Sequence, residues 1–345
     1  MINDQGRRAR ENWVRGLAVV AALVMGLGAG AGWAQETVAP YAEHPEAQAF
    51  IARMSDKHGF AREALVDLFN RVERQDSIIR AMNRPAEAKP WHEYRKLFLT
   101  ERRIAGGIEF YRAHRALIDR VEQAYGVPGE YLVAIVGVET NYGGYIGSFG
   151  VLEAVSTLAF DYPRRASFFT RELEQLLLLQ REEGIDLVAA KGSYAGAMGM
   201  PQFIASSYRA YAVDFDGDGR RDLWSSLEDI LGSVANYFAA HGWESGAPVV
   251  SRALVRGNLY DRLLDQGLKP KHRLAYVNRF DVVAEAPLSQ ATEVALFGLD
   301  EVDGKSYWLG LNNFYVITRY NRSPLYAMAV HELAGAIRAG LDAPS

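Results

Sequence analysis

Cysteine is absent from this 345-residue chain. No disulfide can brace it, so its stability rests on packing and, where carboxylates cluster, on a bound cation. The same absence excludes an acylated N-terminal cysteine, so a lipoprotein form is not expected. An excess of positive charge is also lacking: 38 Lys and Arg face 42 Asp and Glu, a formal charge of −4. A chain without a basic footprint is not expected to bind nucleic acid. Internal repeats and low-complexity tracts are missing as well. What remains, 49% hydrophobic and 23% charged residues, is the composition of a folded protein with room for two or three compact units.

Only one long apolar run is present, and it stands at the N-terminus. Arg7, Arg8, Arg10 and Arg15 precede LAVVAALVMGLGAGAGWA, which closes on Gly32-Trp33-Ala34. A basic start, a short apolar middle and a small-residue exit make residues 1–34 a secretory signal. The alternative is an uncleaved membrane anchor, because the stretch is nearly long enough to span a bilayer. Beyond residue 34, 34 basic residues oppose 40 acidic ones, which makes −6. The expected location is periplasmic.

Helical spacing of apolar residues appears in AQAFIARMSDKHG, REALVDLFNRVER and the long run from Glu93 to Gly126. It returns in FFTRELEQLLLLQREEG, LEDILGSVANYFAAHGW and LYAMAVHELAGAIRAG. Pro85 and Pro90 make Asp76 to Pro90 read as a loop. APVVSRALV, HRLAYVNRFDVVAE and TEVALFGL lean toward strand, which suggests a small β-rich insertion at 247–305, and NNFYVITRYN reads as a strand or extended lead-in.

Glu139 ends the uncharged run Tyr131 to Val138 and is followed by the pair Gly143-Gly144. An apolar setting penalises an ionised carboxylate and should raise its pKa, which suits a proton donor to a leaving oxygen. A helix-end glutamate paired with an arginine is the plain structural alternative.

DFDGDGRRDLW, residues 214–224, places Asp214, Asp216 and Asp218 at alternate positions with Gly219 at the sixth. That is the first half of a calcium-binding helix-loop-helix, in which alternating carboxylates wrap a hard cation. The backbone carbonyl of Arg220 would fall at the seventh position. The second half departs from the pattern: Arg221 and Ser225 stand at the eighth and twelfth positions, leaving Glu228 or Asp229 to supply the distal carboxylate in a longer loop.

KGSYAGAMGMPQFIASSY, residues 191–208, is rich in small residues that let backbone approach a ligand closely, with Ser193 and Gln202 as orienting polar groups. Tyr94, Tyr237, Tyr320 and Tyr326 are among several aromatics near polar groups, suited to stacking on sugar rings or to filling a core. Arg164 and Arg165 face either an anionic group or solvent.

Taken in order, VGVETNYGG, LAFDYPRRASFF, SYAGAMGMPQF, DFDGDGRRDLW, SVANYFAAHGW and NFYVITRYNRSPLYAMAV closely resemble the lytic murein transglycosylase B family of exported peptidoglycan-cleaving enzymes. The resemblance runs from about residue 137 to 330, with a weaker extension back to PWHEYRKLF. It implies a mainly α (α+β) fold: a lysozyme-like helical core at 111–246 holding an EF-hand-like calcium loop, a helical domain at 35–110 to which 306–345 returns, and the small β-rich domain. It implies Glu139 as the single catalytic acid/base. Ser193, Gln202, Tyr237 and Asn321 match cleft-lining polar residues; Tyr94, Tyr320 and Tyr326 match aromatic subsites; Arg164 and Arg165 match cleft arginines. Asp214, Asp216, Asp218, the Arg220 carbonyl and Asp229 match the calcium ligands. The implied enzyme is a monomer without an organic cofactor, and its partners are peptidoglycan glycan strands and, in some settings, cell-wall synthesis proteins. Two rival readings differ in chemistry: a muramidase hydrolysing the same bond, and a non-catalytic peptidoglycan-binding scaffold.

Overall fold

The computed structural model describes residues 39–83 and 89–343. The signal segment expected at 1–34 lies outside these residues. Among the described residues no helix is long and apolar enough to cross a membrane. They divide into two compact units, 39–83 with 139–233 and 89–138 with 234–343.

In the first unit, the helix Pro45–His58 opens with proline at its first turn, where no amide hydrogen is needed. It stops at Gly59, whose φ of 66° suits a residue without Cβ. Helix Ala166–Glu183 buries Phe169, Leu173, Leu176 and Leu177, a stripe at helical spacing that seats it against its neighbour Val151–Phe160. Phe50, Phe69 and Phe160 meet edge-on at 6.0 Å between ring centroids. Strands β1 (Phe149–Gly150) and β2 (Lys191–Gly192) pair antiparallel.

The stretch Asp76–Pro90 is not all loop. Asp76–Met82 is helical, because both prolines lie beyond it and Ile78, fully buried, anchors the turn.

The second unit carries the antiparallel sheet: β3 Val250–Val255, β4 His272–Arg273, β5 Val282–Ala284, β6 Glu293–Glu301 and β7 Gly304–Gly310. Their order is β4-β6-β7-β3-β5. Leu296 stands opposite Leu309, and both join Ala253, Val282 and Val294 in one buried cluster. The β-rich part extends to Gly310. Within HRLAYVNRFDVVAE only the ends are strand, and Leu274–Val277 is helical.

NNFYVITRYN differs from the expectation outright, forming the helix Asn312–Tyr320. Its β-branched and aromatic residues favour strand on propensity alone. Phe314 and Ile317, three apart and fully buried, make one helical face instead, and packing overrides local preference.

Candidate active site and acidic loop

Glu139 is the penultimate residue of the helix Gly129–Thr140. Every residue from Leu132 to Thr140 is buried, and Glu139 is 9% exposed. The chain reverses at once after the helix: Asn141, Tyr142 and Gly143 have φ of 52°, 62° and 85°. Two consecutive non-glycine residues in the left-handed region are strained, and they persist only where the surroundings over-determine them.

Thr140 supplies that restraint. Its Oγ1 donates to the Met200 carbonyl at 3.1 Å and accepts from the Gly143 amide at 3.1 Å. Its carbonyl accepts from Tyr145 N at 3.0 Å. At Gly143 the φ of 85° favours glycine.

Met200 belongs to the small-residue segment that also holds Ser193 and Gln202. Ser193 is 7% exposed, and its Oγ accepts from the amides of Ala195 at 3.3 Å and Ala197 at 3.0 Å. The hydroxyl hydrogen therefore remains to donate. Gln202, at φ 53°, donates from Nε2 to the carbonyls of Ile146 at 3.1 Å and Gly199 at 2.9 Å. Its Oε1 remains as an acceptor.

In the acidic loop, carboxylate oxygens of Asp214, Asp216 and Asp229 lie within 4.8 Å of one another. Asp229 is 1% exposed and accepts from Phe215 N at 2.8 Å and Asp222 N at 2.7 Å. Burial pushes its carboxyl up, with the charge of Asp216 adding to the effect. The Ser226 hydroxyl, at 2.8 Å, leads the causes that hold Asp216 below the usual carboxylate range. Asp214 accepts from the amides of Gly217, Asp218 and Gly219 at 2.7, 3.1 and 2.8 Å. Asp218 stands outside the triad, and its Oδ1 accepts from Arg220 N at 2.8 Å.

Two oxygens that share one calcium ion, each about 2.4 Å from it, stand at most about 4.8 Å apart. The triad meets that limit with hard oxygen donors alone, so these residues fit calcium. A cation also offsets the repulsion that raises Asp229.

The loop and the glutamate are joined by a short hydrogen-bonded path. Asp229 Oδ2 holds Asp222 N, and the next carbonyl, of Leu223, holds Met200 N at 2.8 Å. The Met200 carbonyl in turn holds Thr140. A Cβ on Gly199 would lie 2.3 Å from the Leu223 carbonyl, so the path runs through a contact only glycine permits. Sequence reasoning missed Thr140, Met200 and Leu223. The only available signal was a hydroxyl adjoining Glu139 in ETNYGG.

Tyr237, Tyr320 and Asn321 lie in the second unit. The Tyr237 hydroxyl donates to the Arg319 carbonyl at 2.6 Å. Its ring stacks on His241 at 4.2 Å and meets Tyr320 edge-on at 4.9 Å. Asn321 is 6% exposed, and its Oδ1 accepts from Ser323 N at 3.1 Å. Tyr94 and Tyr326 are buried, and neither offers an open ring face. In the first unit, Arg165 lies over the rings of Phe168 and Phe169, 4.6 and 5.4 Å from their centroids, while Arg164 is exposed.

Comparison with known proteins adds a family. The model of the family described as transglycosylase SLT domain matches residues 42–335. Membrane-bound lytic murein transglycosylase B of Escherichia coli (strain K12) is 43% identical over 307 residues, covering 86% of this chain and 84% of that protein. The crystal structure of soluble lytic transglycosylase SltB1 from Pseudomonas aeruginosa matches with a TM-score of 0.82 and 47% identity, over 87% of this chain and all of that one. The Escherichia coli lytic transglycosylase Slt35, in a structure with calcium, matches with a TM-score of 0.80 and 42% identity, over 89% and 98% of the two chains. The mainly α fold with a smaller antiparallel sheet is the one these relatives share.

Proposed function

The chain belongs to the transglycosylase SLT domain family, and from that premise we propose that it is a lytic transglycosylase cleaving the MurNAc-β-1,4-GlcNAc bond of peptidoglycan, with Glu139 as its single acid and base. The observation that carries the residue assignment is a buried carboxyl at a helix C-terminus, locked by Thr140 against the segment of Ser193 and Gln202. Its burial at the end of the helix suits Glu139 to donate a proton to a leaving oxygen.

Glu139 protonates the bridging oxygen as its bond to the muramyl anomeric carbon breaks. The resulting carboxylate then takes the proton of the muramyl 6-hydroxyl, whose oxygen bonds to that carbon. Glu139 ends protonated as it began, no water is consumed, and the product carries a 1,6-anhydroMurNAc end. Capture by a hydroxyl on the same sugar has an entropic advantage over bulk water. Ser193, with its hydrogen available, and Gln202, with its oxygen available, orient the sugar at the cleaved bond. Tyr237, Tyr320 and Asn321 contact the glycan, and Arg164 and Arg165 meet its anionic groups.

Asp214, Asp216 and Asp229, with Asp218 and the Arg220 carbonyl, would hold calcium, which would supply the positive charge that offsets their carboxylates. Export to the periplasm by the 1–34 signal, as a monomer, completes the reading. Digestion of purified sacculi, with mass analysis of the released muropeptides, tests it. The expected products are lighter by one water than those of hydrolysis and disappear with Glu139→Gln. Products with reducing ends would make the enzyme a muramidase, and no products a scaffold.

A further inference from the structure

The second unit carries a basic face that the cleavage chemistry does not use. From Gln266 to Phe280 the chain holds Lys269, Lys271, Arg273 and Arg279 and no acidic residue. All four cations are exposed, whereas His272 is half-buried and Leu274 is buried. Strand side chains alternate, so Lys271 and Arg273 share one side at β4 and His272 takes the other. Tyr276 links Arg279 to this strand. Its ring stacks on His272 at 5.0 Å and lies 5.9 Å from the Arg279 guanidinium.

Neighbouring acids do not cancel this charge. Asp265 and Asp281 stand just beyond the two ends of the run, and the Asp281 carboxylate lies beside Gly257. Glu293 is opposite Arg273 in register, without an ion pair between them. Among the described residues no carboxylate bonds to any of the four cations. Lys271 donates to a carbonyl instead, that of Gln266, at 3.1 Å.

The charge has no socket beneath it. The cavity lined by Lys269, Lys271 and His272, with Leu263 and Val294, measures about 10 Å³, room for about one water. A small anion therefore finds no enclosure here. An apolar centre of the kind that protein interfaces use is missing too. Across Gln266 to Phe280 Tyr276, 40% exposed, is the only large hydrophobic residue open to solvent. Clustered cations beside one exposed tyrosine suit a lipid surface, where anionic headgroups attract Lys and Arg and tyrosine settles at headgroup level.

We infer that this face docks reversibly on a bilayer containing anionic phospholipid, with Lys269, Lys271, Arg273 and Arg279 on headgroup phosphates and Tyr276 at their level. The test is sedimentation with vesicles of phosphatidylcholine, alone or with phosphatidylglycerol added. It uses protein without residues 1–34, whose apolar run would enter bilayers by itself; the described residues begin beyond it. Binding should require phosphatidylglycerol and fade as salt rises. Each of Lys269→Ala, Lys271→Ala and Arg273→Ala should weaken it about fivefold, the scale of one cation at an anionic surface. Glu293→Gln, which removes an opposing charge, should strengthen it. Melting temperature and sacculus digestion should match those of the parent protein. Equal binding to both vesicles, binding to neither, or indifference to the four substitutions overturns the inference. So does slower sacculus digestion by the alanine variants with no vesicles present, which would put the glycan on this face instead.

Discussion

The turn after Glu139 and the acidic loop at 214–229 use similar residues to opposite ends. Both bend through left-handed backbone, at Asn141, Tyr142 and Gly143 in one and at Gly217 and Gly219 in the other. The first is carried by a single threonine hydroxyl, which bonds in two directions. The second gathers three carboxylates within reach of one ion. One closes a buried helix end that carries a carboxyl, while the other crowds three carboxylates together.

The largest break in that contrast is Glu139→Gln. The amide keeps the shape of the side chain and removes the proton, so turnover should fall by at least about 10³-fold, while circular dichroism and melting stay close to normal. Retained turnover would return Glu139 to a structural role.

Calcium removal should act on the other side of the comparison. At a hundredfold excess over its dissociation constant, a ligand of the folded state alone adds about 2.7 kcal/mol. For a chain of this size that is a rise in melting temperature of roughly 4 °C. Asp229→Asn should abolish the difference between calcium and chelator. A melting curve that ignores both would leave the triad as a hydrogen-bonded turn.

Thr140→Val tests the path between the two regions. It leaves the Met200 carbonyl and Gly143 amide without partners, a loss of about 1–3 kcal/mol of stability. If the clamp also sets Glu139, kcat per folded molecule falls about tenfold with KM nearly unchanged. Loss of stability with unchanged kcat would make Thr140 structural only.

The two regions were unequally legible in the sequence. Glu139 and the aspartates at 214, 216 and 218 stand in contiguous runs whose spacing carries the chemistry, so they are visible without a fold. The reach from Asp222 to Asp229, seven residues on, needed the resemblance. The Thr140–Met200–Leu223 path was not legible at all, because its bonds span 60 residues of chain and use backbone carbonyls that any residue provides. Aromatics were ambiguous for a related reason. Tyr94 and Tyr320 look alike in sequence, yet only Tyr94 is fully buried. The helix Asn312–Tyr320 was missed because its composition favours strand while its buried face is set by packing.

The smallest expected effect isolates burial from chemistry. Glu172, 6% exposed in the stripe of Ala166–Glu183, accepts from Ser206 N at 3.0 Å. Burial pushes its carboxyl up, against the opposing pull of Ser206. A group raised in the folded state adds stability that is complete below the ordinary carboxyl pKa and is lost as pH rises through the folded value. Glu172→Gln keeps an acceptor for Ser206 and removes the titration. The parent protein should therefore lose stability relative to this variant as pH rises above the ordinary carboxyl range, as read from paired melting curves, with turnover at neutral pH unchanged. A flat difference as pH rises would show that Glu172 is not held neutral. A loss of turnover would show that a buried carboxyl 33 residues from Glu139 in sequence takes part in the chemistry, and the single-acid reading would fail with it.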